Sequence, residues 1–305
     1  MTESPTKFLP EHIIEALKTE VAKQTPATKI CLYNFEASNS AADSVSSYVF
    51  SYSPIQVHTI LDRNVPAWAN SNVDVIIMSY SGNSPEVEEV YEGAKAKGCR
   101  IHCITSGGKL KEICESYGDN LVLVPQGLSN ANATGYEIGV LVNLYEAMGV
   151  EGLRKAVEEA LPRIIEYRDA IWESDEVRKL AMRIRGKIPA IYCTGELRAV
   201  HKRWKMLIND EVGRLAFSGE FPEFDHNELV GWADEKTDAY DFIIIAFRIN
   251  TESDLLNRIF DIATALLKEN GLDVRVIDIE GNIPERGIRG IIYADAVAKY
   301  LKEAE

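Results

Sequence analysis

Short apolar segments alternate with longer amphipathic segments along most of the chain. Each apolar segment is four to seven residues long and ends at turn-forming residues, which is typical of strands buried in a parallel sheet. The segments with this pattern are 29–33, 55–60, 73–78, 100–105, 121–124, 190–193, 241–247 and 272–278. Because strands and helices follow one another in turn, the pattern predicts an α/β fold with doubly wound parallel sheets.

Helical segments separate several of these strands. The clearest one is 84–98, which has Ser84 as its N-cap, Pro85 at its first helical position and Gly98 at its end. Further helices are predicted over 196–211, 252–269 and 287–303.

The length of 305 residues fits two domains of about 150 residues each. Segment 151–186 has a helical pattern, and the rhythm of strands and helices is present on both sides of it. We therefore expect two stacked α/β domains, one over 1–150 and the other over 151–305.

Composition and charge exclude several classes of protein. The chain has 33 Lys and Arg against 47 Asp and Glu, a net charge of −14, which argues against nucleic-acid binding. No apolar run reaches the roughly 18 residues of a membrane span, and the first residues lack a signal-peptide core, so we expect a cytoplasmic protein. The five cysteines lack metal-ligand spacing and are expected to be reduced. Without a G-x-G-x-x-G motif or clustered His and Cys ligands, neither a nucleotide cofactor nor a metal is predicted.

A hydroxyl-rich turn follows the strand at 73–78. It reads Ser79-Tyr-Ser-Gly-Asn-Ser84 and leads into the helix at 84–98. Ligands of parallel sheets bind at this edge, and a helix N-terminus with hydroxyl donors suits a phosphate monoester. Because Gly82 lets the backbone approach a ligand closely, the turn predicts a phosphate site formed by Ser79, Ser81, Gly82 and Ser84. The alternative, an ordinary turn with a serine cap, explains Ser84 alone.

The same turn, with Glu86 after it, resembles the phosphosugar-binding signature of sugar isomerase (SIS) domains. Further short segments of the chain match one SIS family in order. They are Thr105-Ser-Gly-Gly-Lys-Leu110, Pro125-x-Gly127, Gly135-Tyr136, Arg203-Trp204, Asn209 and Asp225-His-Asn-Glu-Leu-Val-Gly-Trp232. The series resembles the bifunctional phosphoglucose/phosphomannose isomerase family, which has two SIS domains.

The resemblance implies an aldose–ketose isomerase that converts glucose 6-phosphate or mannose 6-phosphate to fructose 6-phosphate, without metal or cofactor, through an enediol. It places the phosphate on the four residues of the turn and on Ser38. It assigns ring opening to His226 and the base to Asp210, with Glu211 beside it. It also implies a homodimer in which the site lies between the two domains and the histidine comes from the neighbouring subunit.

Several positions depart from the family pattern. Ala131 takes the place of an arginine that would stabilise the enediolate, although Lys109, Arg198 or Arg203 could replace that charge. Asp210 is one methylene shorter than the usual glutamate, and the family usually continues beyond the position of Glu305.

Two further departures from the family pattern concern the predicted phosphate site. The first keeps its chemistry, and the second is unfavourable for binding an anion. Ser84 replaces threonine, which keeps the hydroxyl donor. The glycine-rich first turn of the family is replaced by 34–39, where Glu36 brings a negative charge near the phosphate. Ala131, the shorter Asp210 and the family's continuation beyond the position of Glu305 motivate an alternative function, a phosphosugar-binding sensor or regulatory protein with lost or weak catalysis.

The two acids can be compared by helical phase. If 196–211 is one helix, Asp210 shares the polar face with Arg203, whereas Glu211 lies on the apolar stripe, so the phase favours Asp210 as the base. Structural alternatives remain: His226 could be a capping or surface histidine, and Asp210 with Glu211 could be a solvated helix end.

Overall fold

The structure is a computed structural model that describes residues 5–35, 38–234, 241–249 and 253–304. The chain forms two compact units, Phe8–Leu161 and Pro162–Glu305 together with Met1–Lys7. Each unit contains one parallel sheet, which confirms the predicted α/β class. The assignment of functional domains to 1–150 and 151–305 stays a prediction.

The first unit contains a five-stranded sheet with the order β2-β1-β3-β4-β5, and every pairing is parallel. Its strands are β1 Lys29–Asn34, β2 Gln56–Ile60, β3 Asp74–Met78, β4 Arg100–Thr105 and β5 Asn120–Leu123. Its helices are α1 Leu9–Ala16, α2 Ser38–Tyr52, α3 Pro85–Ala96, α4 Gly108–Tyr117 and α5 Asn130–Ala147, and α6 Leu153–Trp172 runs from this unit into the second.

Strand order creates a switch point between β1 and β3. The chain leaves β1 toward β2 on one side and leaves β3 toward β4 on the other, so the loops after β1 and β3 diverge at the carboxyl edge of the sheet. Both strands lie deep in the core, because every residue of β3 is buried and only Lys29 of β1 is partly exposed. The switch point is therefore a crevice on a rigid support.

The second unit contains a four-stranded parallel sheet with the order β7-β6-β8-β9. Its strands are β6 Ile188–Thr194, β7 Phe217–Phe221, β8 Phe242–Arg248 and β9 Asp273–Asp278. Its helices are α7 Asp175–Ile184, α8 Arg198–Met206, α9 Glu223–Asn227, α10 Leu229–Trp232, α11 Asp254–Glu269 and α12 Ile283–Ala304. Short 3-10 turns occupy Pro5–Phe8 and Gly195–Leu197.

All eight predicted strands are confirmed to within two residues at each end, and the sequence pattern missed β7. The predicted helix at 196–211 is wrong as a single helix. It consists of a 3-10 turn, α8 and a π turn at Leu207–Glu211, in which the Val212 N–H donates to the Leu207 carbonyl.

Because a π turn rotates the residues after it, the phase that paired Arg203 with Asp210 is also wrong. The Arg203 guanidinium instead lies 2.8 Å from Asp295 of α12, and both side chains are buried.

Two other predictions concern the whole chain. All five cysteines are free and buried, as expected of reduced packing residues. Among the residues that the structure describes, no helix combines the length and apolar character needed to cross a membrane.

Candidate active site

The serine turn after β3 is locked to the loop after β4. Gly82 has a φ of +65°, and a Cβ at this position would lie 2.1 Å from the Gly107 carbonyl oxygen. The Gly82 carbonyl accepts a hydrogen bond of 2.9 Å from the Leu110 N–H, and the Tyr80 carbonyl accepts one of 2.9 Å from the Ser106 N–H. Only glycine fits this close approach, so the turn is fixed before any ligand arrives.

A cavity of about 530 Å³ opens beside this turn. Its lining comprises Phe35 from the loop after β1 and Ser81, Asn83, Ser84, Pro85 and Glu86 from the turn and the start of α3. The cavity thus lies at the switch point, and its lining includes two serines and the start of α3, where the positive end of the helix dipole lies. The acidic first turn of α3 also brings the Glu86 carboxylate to the same lining.

Ser79 and Gly82 support the turn from within. Ser79 is fully buried, and its hydroxyl accepts a hydrogen bond of 3.2 Å from the Gly82 N–H and lies 3.5 Å from the Ser84 hydroxyl. Ser84 is the N-cap residue of α3, as predicted, but its side chain makes no capping hydrogen bond to the helix. Ser84, like Ser81, is one of the residues that line the cavity.

Ser38 begins α2 beside the same crevice but is 1% exposed. Its hydroxyl donates a hydrogen bond of 2.5 Å to the fully buried carboxylate of Glu137 on α5. Ser38 is not among the described residues that line the cavity. Glu36, whose charge was expected near the phosphate, lies outside the described residues.

The position of the missing arginine is buried. Ala131 lies in the first turn of α5 and is 6% exposed. Two of the three cations considered as replacements form ion pairs elsewhere, because Arg203 binds Asp295 and Arg198 binds Glu220 at 2.8 Å. Lys109, on the exposed side of α4, is the third.

The acid and base candidates of the second unit lie at opposite edges of its sheet. His226 is exposed on α9, which follows the carboxyl end of β7. Asp210 and Glu211 lie in the π turn after α8, which precedes the amino end of β7. The five residues of β7 span roughly 17 Å, so within one unit these groups are far apart.

The two acids differ in their surroundings. The Glu211 carboxylate lies 3.2 Å from Lys302, and both groups are largely exposed. Asp210 is exposed, and within the described part of the chain no side chain pairs with it. Within the described residues, the two acids therefore differ in that Glu211 has a cation partner and Asp210 has none.

A charged cluster in the second unit, in which only His201 is buried, was missed by sequence reasoning. His201 donates or accepts through Nδ1 at 3.0 Å from the Ser218 hydroxyl, and its Nε2 lies 3.5 Å from Glu220. Arg198 binds Glu220 through two hydrogen bonds of 2.8 and 2.9 Å. Burial raises the pKa of Glu220, but hydrogen bonds from His201 and Arg198 outweigh it and lower the pKa to about 2. The sequence feature that could have identified this cluster is the spacing of Arg198 and His201, which lie three residues apart on one helix.

No group of His, Cys, Asp and Glu side chains with the arrangement of a metal site occurs in the described ranges of the chain.

Comparison with known proteins agrees with this architecture. Residues 173–305 match the model of the bacterial phospho-glucose isomerase C-terminal SIS domain. Among solved structures, the C-terminal domain of a glucosamine-fructose-6-phosphate aminotransferase from Francisella tularensis has a TM-score of 0.77 at 13% identity, over 98% of this chain and 94% of that chain. This likeness concerns the fold alone.

Curated relatives are more similar in sequence. A D-glucosamine-6-phosphate 4-epimerase of Sulfolobus acidocaldarius is 28% identical over 76% of this chain and 72% of its own length. A bifunctional phosphoglucose/phosphomannose isomerase of Caldicellulosiruptor bescii is 32% identical over 264 residues, which are 83% of this chain and 78% of that protein. At this identity and coverage, the chain belongs to the bifunctional phosphoglucose/phosphomannose isomerase family.

Proposed function

We propose that the protein is a phosphosugar isomerase that interconverts glucose 6-phosphate or mannose 6-phosphate with fructose 6-phosphate. The observation that carries this proposal is the cavity at the switch point, whose lining includes the hydroxyl-bearing residues Ser81 and Ser84. Uncharged donors at the positive end of α3 suit a phosphate monoester, and family membership supports a hexose as its other part.

In this proposal, residues of the second unit carry out the proton transfers of the reaction. His226 opens the sugar ring by proton transfer, and Asp210 moves a proton between the first two carbons of the open chain through an enediol. Glu211 is the alternative base. Ser79 and Gly82 shape the phosphate turn, while Ser38 acts through its hydrogen bond to Glu137.

A homodimer supplies both groups to one sugar. The topology of the second unit puts His226 and Asp210 at opposite edges of the sheet, which supports a site that takes its base from one subunit and its histidine from the other. We also propose that the dimer works in the cytoplasm and binds no nucleic acid. The net charge of −14 supports the second of these points.

Ala131 indicates a slow enzyme or a different use of the same pocket. Loss of one group that stabilises a developing oxyanion costs about 3–4 kcal/mol of transition-state stabilisation. The second candidate function is therefore a phosphosugar-binding sensor or regulatory protein with weak or no catalysis, since Arg198 and Arg203 are engaged in ion pairs.

Coupled assays at high enzyme concentration test the proposal. The substrates are glucose, mannose and fructose 6-phosphates, with glucosamine 6-phosphate added because one relative is named as an epimerase of that compound. We expect isomerisation of the hexose phosphates that falls sharply, to a measurable residual rate, in His226→Ala and in Asp210→Asn but is retained in Glu211→Gln. His58→Ala is the matched control, because His58 is an exposed histidine of the first unit.

The possible results separate the two candidate functions. Saturable binding of fructose 6-phosphate without turnover above the His226→Ala/Asp210→Asn double variant would select the regulatory function. Absence of binding to any of the four compounds would reject both.

A further inference from the structure

A buried tyrosine, Tyr192, contacts the segment that carries His226. This segment, 223–232, forms the two short helices α9 and α10 after β7. Tyr192 lies in the neighbouring strand β6 and is 1% exposed. It contacts the segment on both sides of His226, which is itself exposed.

The hydroxyl of Tyr192 fixes the part of the segment that follows His226. It donates a hydrogen bond of 2.5 Å to the Glu228 carboxylate and accepts one of 2.9 Å from the Trp232 indole N–H. Burial raises the pKa of Tyr192, and the Glu228 carboxylate raises it further, so the hydroxyl stays protonated and remains a donor. These two bonds tie positions two and six residues beyond His226 to β6.

The ring of Tyr192 fixes the part that precedes His226. The Phe224 ring packs against it with centroids 4.2 Å apart, and Phe224 is 1% exposed. A Cβ on Gly219 of β7 would lie 2.9 Å from the Tyr192 ring and 3.3 Å from Glu228 Oε1. The absence of a side chain at Gly219 therefore leaves the space in which the ring and the Glu228 carboxylate meet.

We propose that Tyr192 is a positioning residue for His226, which holds the imidazole in place through Phe224 before it and Glu228 and Trp232 after it. The proposal rests on the proposed function, because it assigns His226 to the reaction. It also gives a physical role to two residues of the segment 225–232 that do not act on the sugar. Glu228 and Trp232 bind the tyrosine, and the short helices keep their orientation because of it.

Replacement of Tyr192 by Phe tests the role of the hydroxyl. The ring and its contact with Phe224 remain, while both hydrogen bonds are lost. Because displacement of a catalytic group by about 1 Å can lower a rate up to a hundredfold, we expect Tyr192→Phe to lower kcat about tenfold and to leave KM nearly unchanged. Tyr300→Phe is the matched control, since Tyr300 is a buried tyrosine of the same unit whose hydroxyl donates at 2.5 Å to the Trp172 carbonyl. We expect it to leave kcat unchanged.

Further variants separate positioning from general damage. Glu228→Gln keeps an acceptor for the hydroxyl and should retain kcat, whereas Glu228→Ala should match Tyr192→Phe. In a His226→Ala background, Tyr192→Phe should lower the remaining rate no further. An equal loss in that background, or an unchanged kcat in Tyr192→Phe, would overturn the proposal.

Hydrogen–deuterium exchange tests the same inference without turnover. We expect faster amide exchange over 223–232 in Tyr192→Phe and not in Tyr300→Phe. Unchanged exchange would overturn the inference even if kcat fell. If the wild-type protein does not isomerise the hexose phosphates, or if His226→Ala keeps full activity, the proposed function fails. Hydrogen–deuterium exchange would still show whether Tyr192 holds this segment.

Discussion

Replacement of Gly82 by Ala perturbs the phosphate turn at its tightest point. Alanine at a φ of +65° costs about 1–2 kcal/mol relative to glycine. The added methyl would also lie 2.1 Å from the Gly107 carbonyl oxygen and 2.7 Å from the Thr105 hydroxyl. The shifts of side chains and backbone that accommodate such overpacking typically cost about a further 1–3 kcal/mol. We therefore expect Gly82→Ala to lower the free energy of unfolding by about 2–5 kcal/mol.

Gly118 supplies the control for backbone conformation. Its φ is +70°, and a Cβ there would meet nothing within 4 Å, so Gly118→Ala should cost only the conformational part of about 1–2 kcal/mol. Urea unfolding of both variants measures the difference in stability. Titration with fructose 6-phosphate should show that affinity falls in Gly82→Ala alone, because the clash displaces Ser81 and Ser84.

The reasoning is refuted by either of two results. One is an equal loss of stability in Gly82→Ala and Gly118→Ala. The other is a Gly82→Ala variant that binds fructose 6-phosphate as tightly as the wild-type protein.

Two more predictions concern charges of the second unit. Arg203→Met should cost about 3–5 kcal/mol of stability because it leaves Asp295 buried and unpaired, and adding Asp295→Leu should recover most of that loss; additive losses in urea unfolding would contradict this. The pKa of Glu220 is lowered from 4.5 to about 2, since hydrogen bonds from His201 and Arg198 outweigh burial. A carboxyl group with a lowered pKa stabilises the fold fully above pH 4.5 and loses this contribution as the pH falls toward 2. Glu220→Gln should thus lower the free energy of unfolding by about 2–3 kcal/mol at pH 7 and by progressively less below pH 4.5; a loss that stays constant down to pH 3 would be the contrary result.

The strands that were predicted and the one that was missed differ in burial. β3 and β4 could be predicted because helices cover both faces, which requires a continuous apolar run. β7 is an edge strand that pairs only with β6, and its residues are mostly partly exposed. Its sequence, Phe217-Ser-Gly-Glu-Phe221, contains a glycine where the Tyr192 ring approaches. Such a requirement comes from a neighbouring strand and leaves no periodic pattern.

In the candidate site, features formed by residues close together in the sequence could be predicted, whereas contacts between residues far apart in the sequence could not. Ser81 and Ser84 could be predicted as cavity residues because strand, turn and helix succeed one another along the chain. The partner of Arg203 could not, because Asp295 lies 92 residues away and a π turn broke the assumed helical phase. Ser38 was predicted from resemblance alone, and its bond to Glu137 again joins residues 99 positions apart.

The most direct test is a crystal structure of the protein with bound fructose 6-phosphate. The proposed function predicts the phosphate in the cavity after β3, with its oxygens within hydrogen-bond distance of the Ser81 and Ser84 hydroxyls. It also predicts the sugar carbons near Asp210 or Glu211 of one subunit and His226 of the other. A sugar phosphate bound at another place, with the hydroxyls of Ser81 and Ser84 exposed to water, would contradict it.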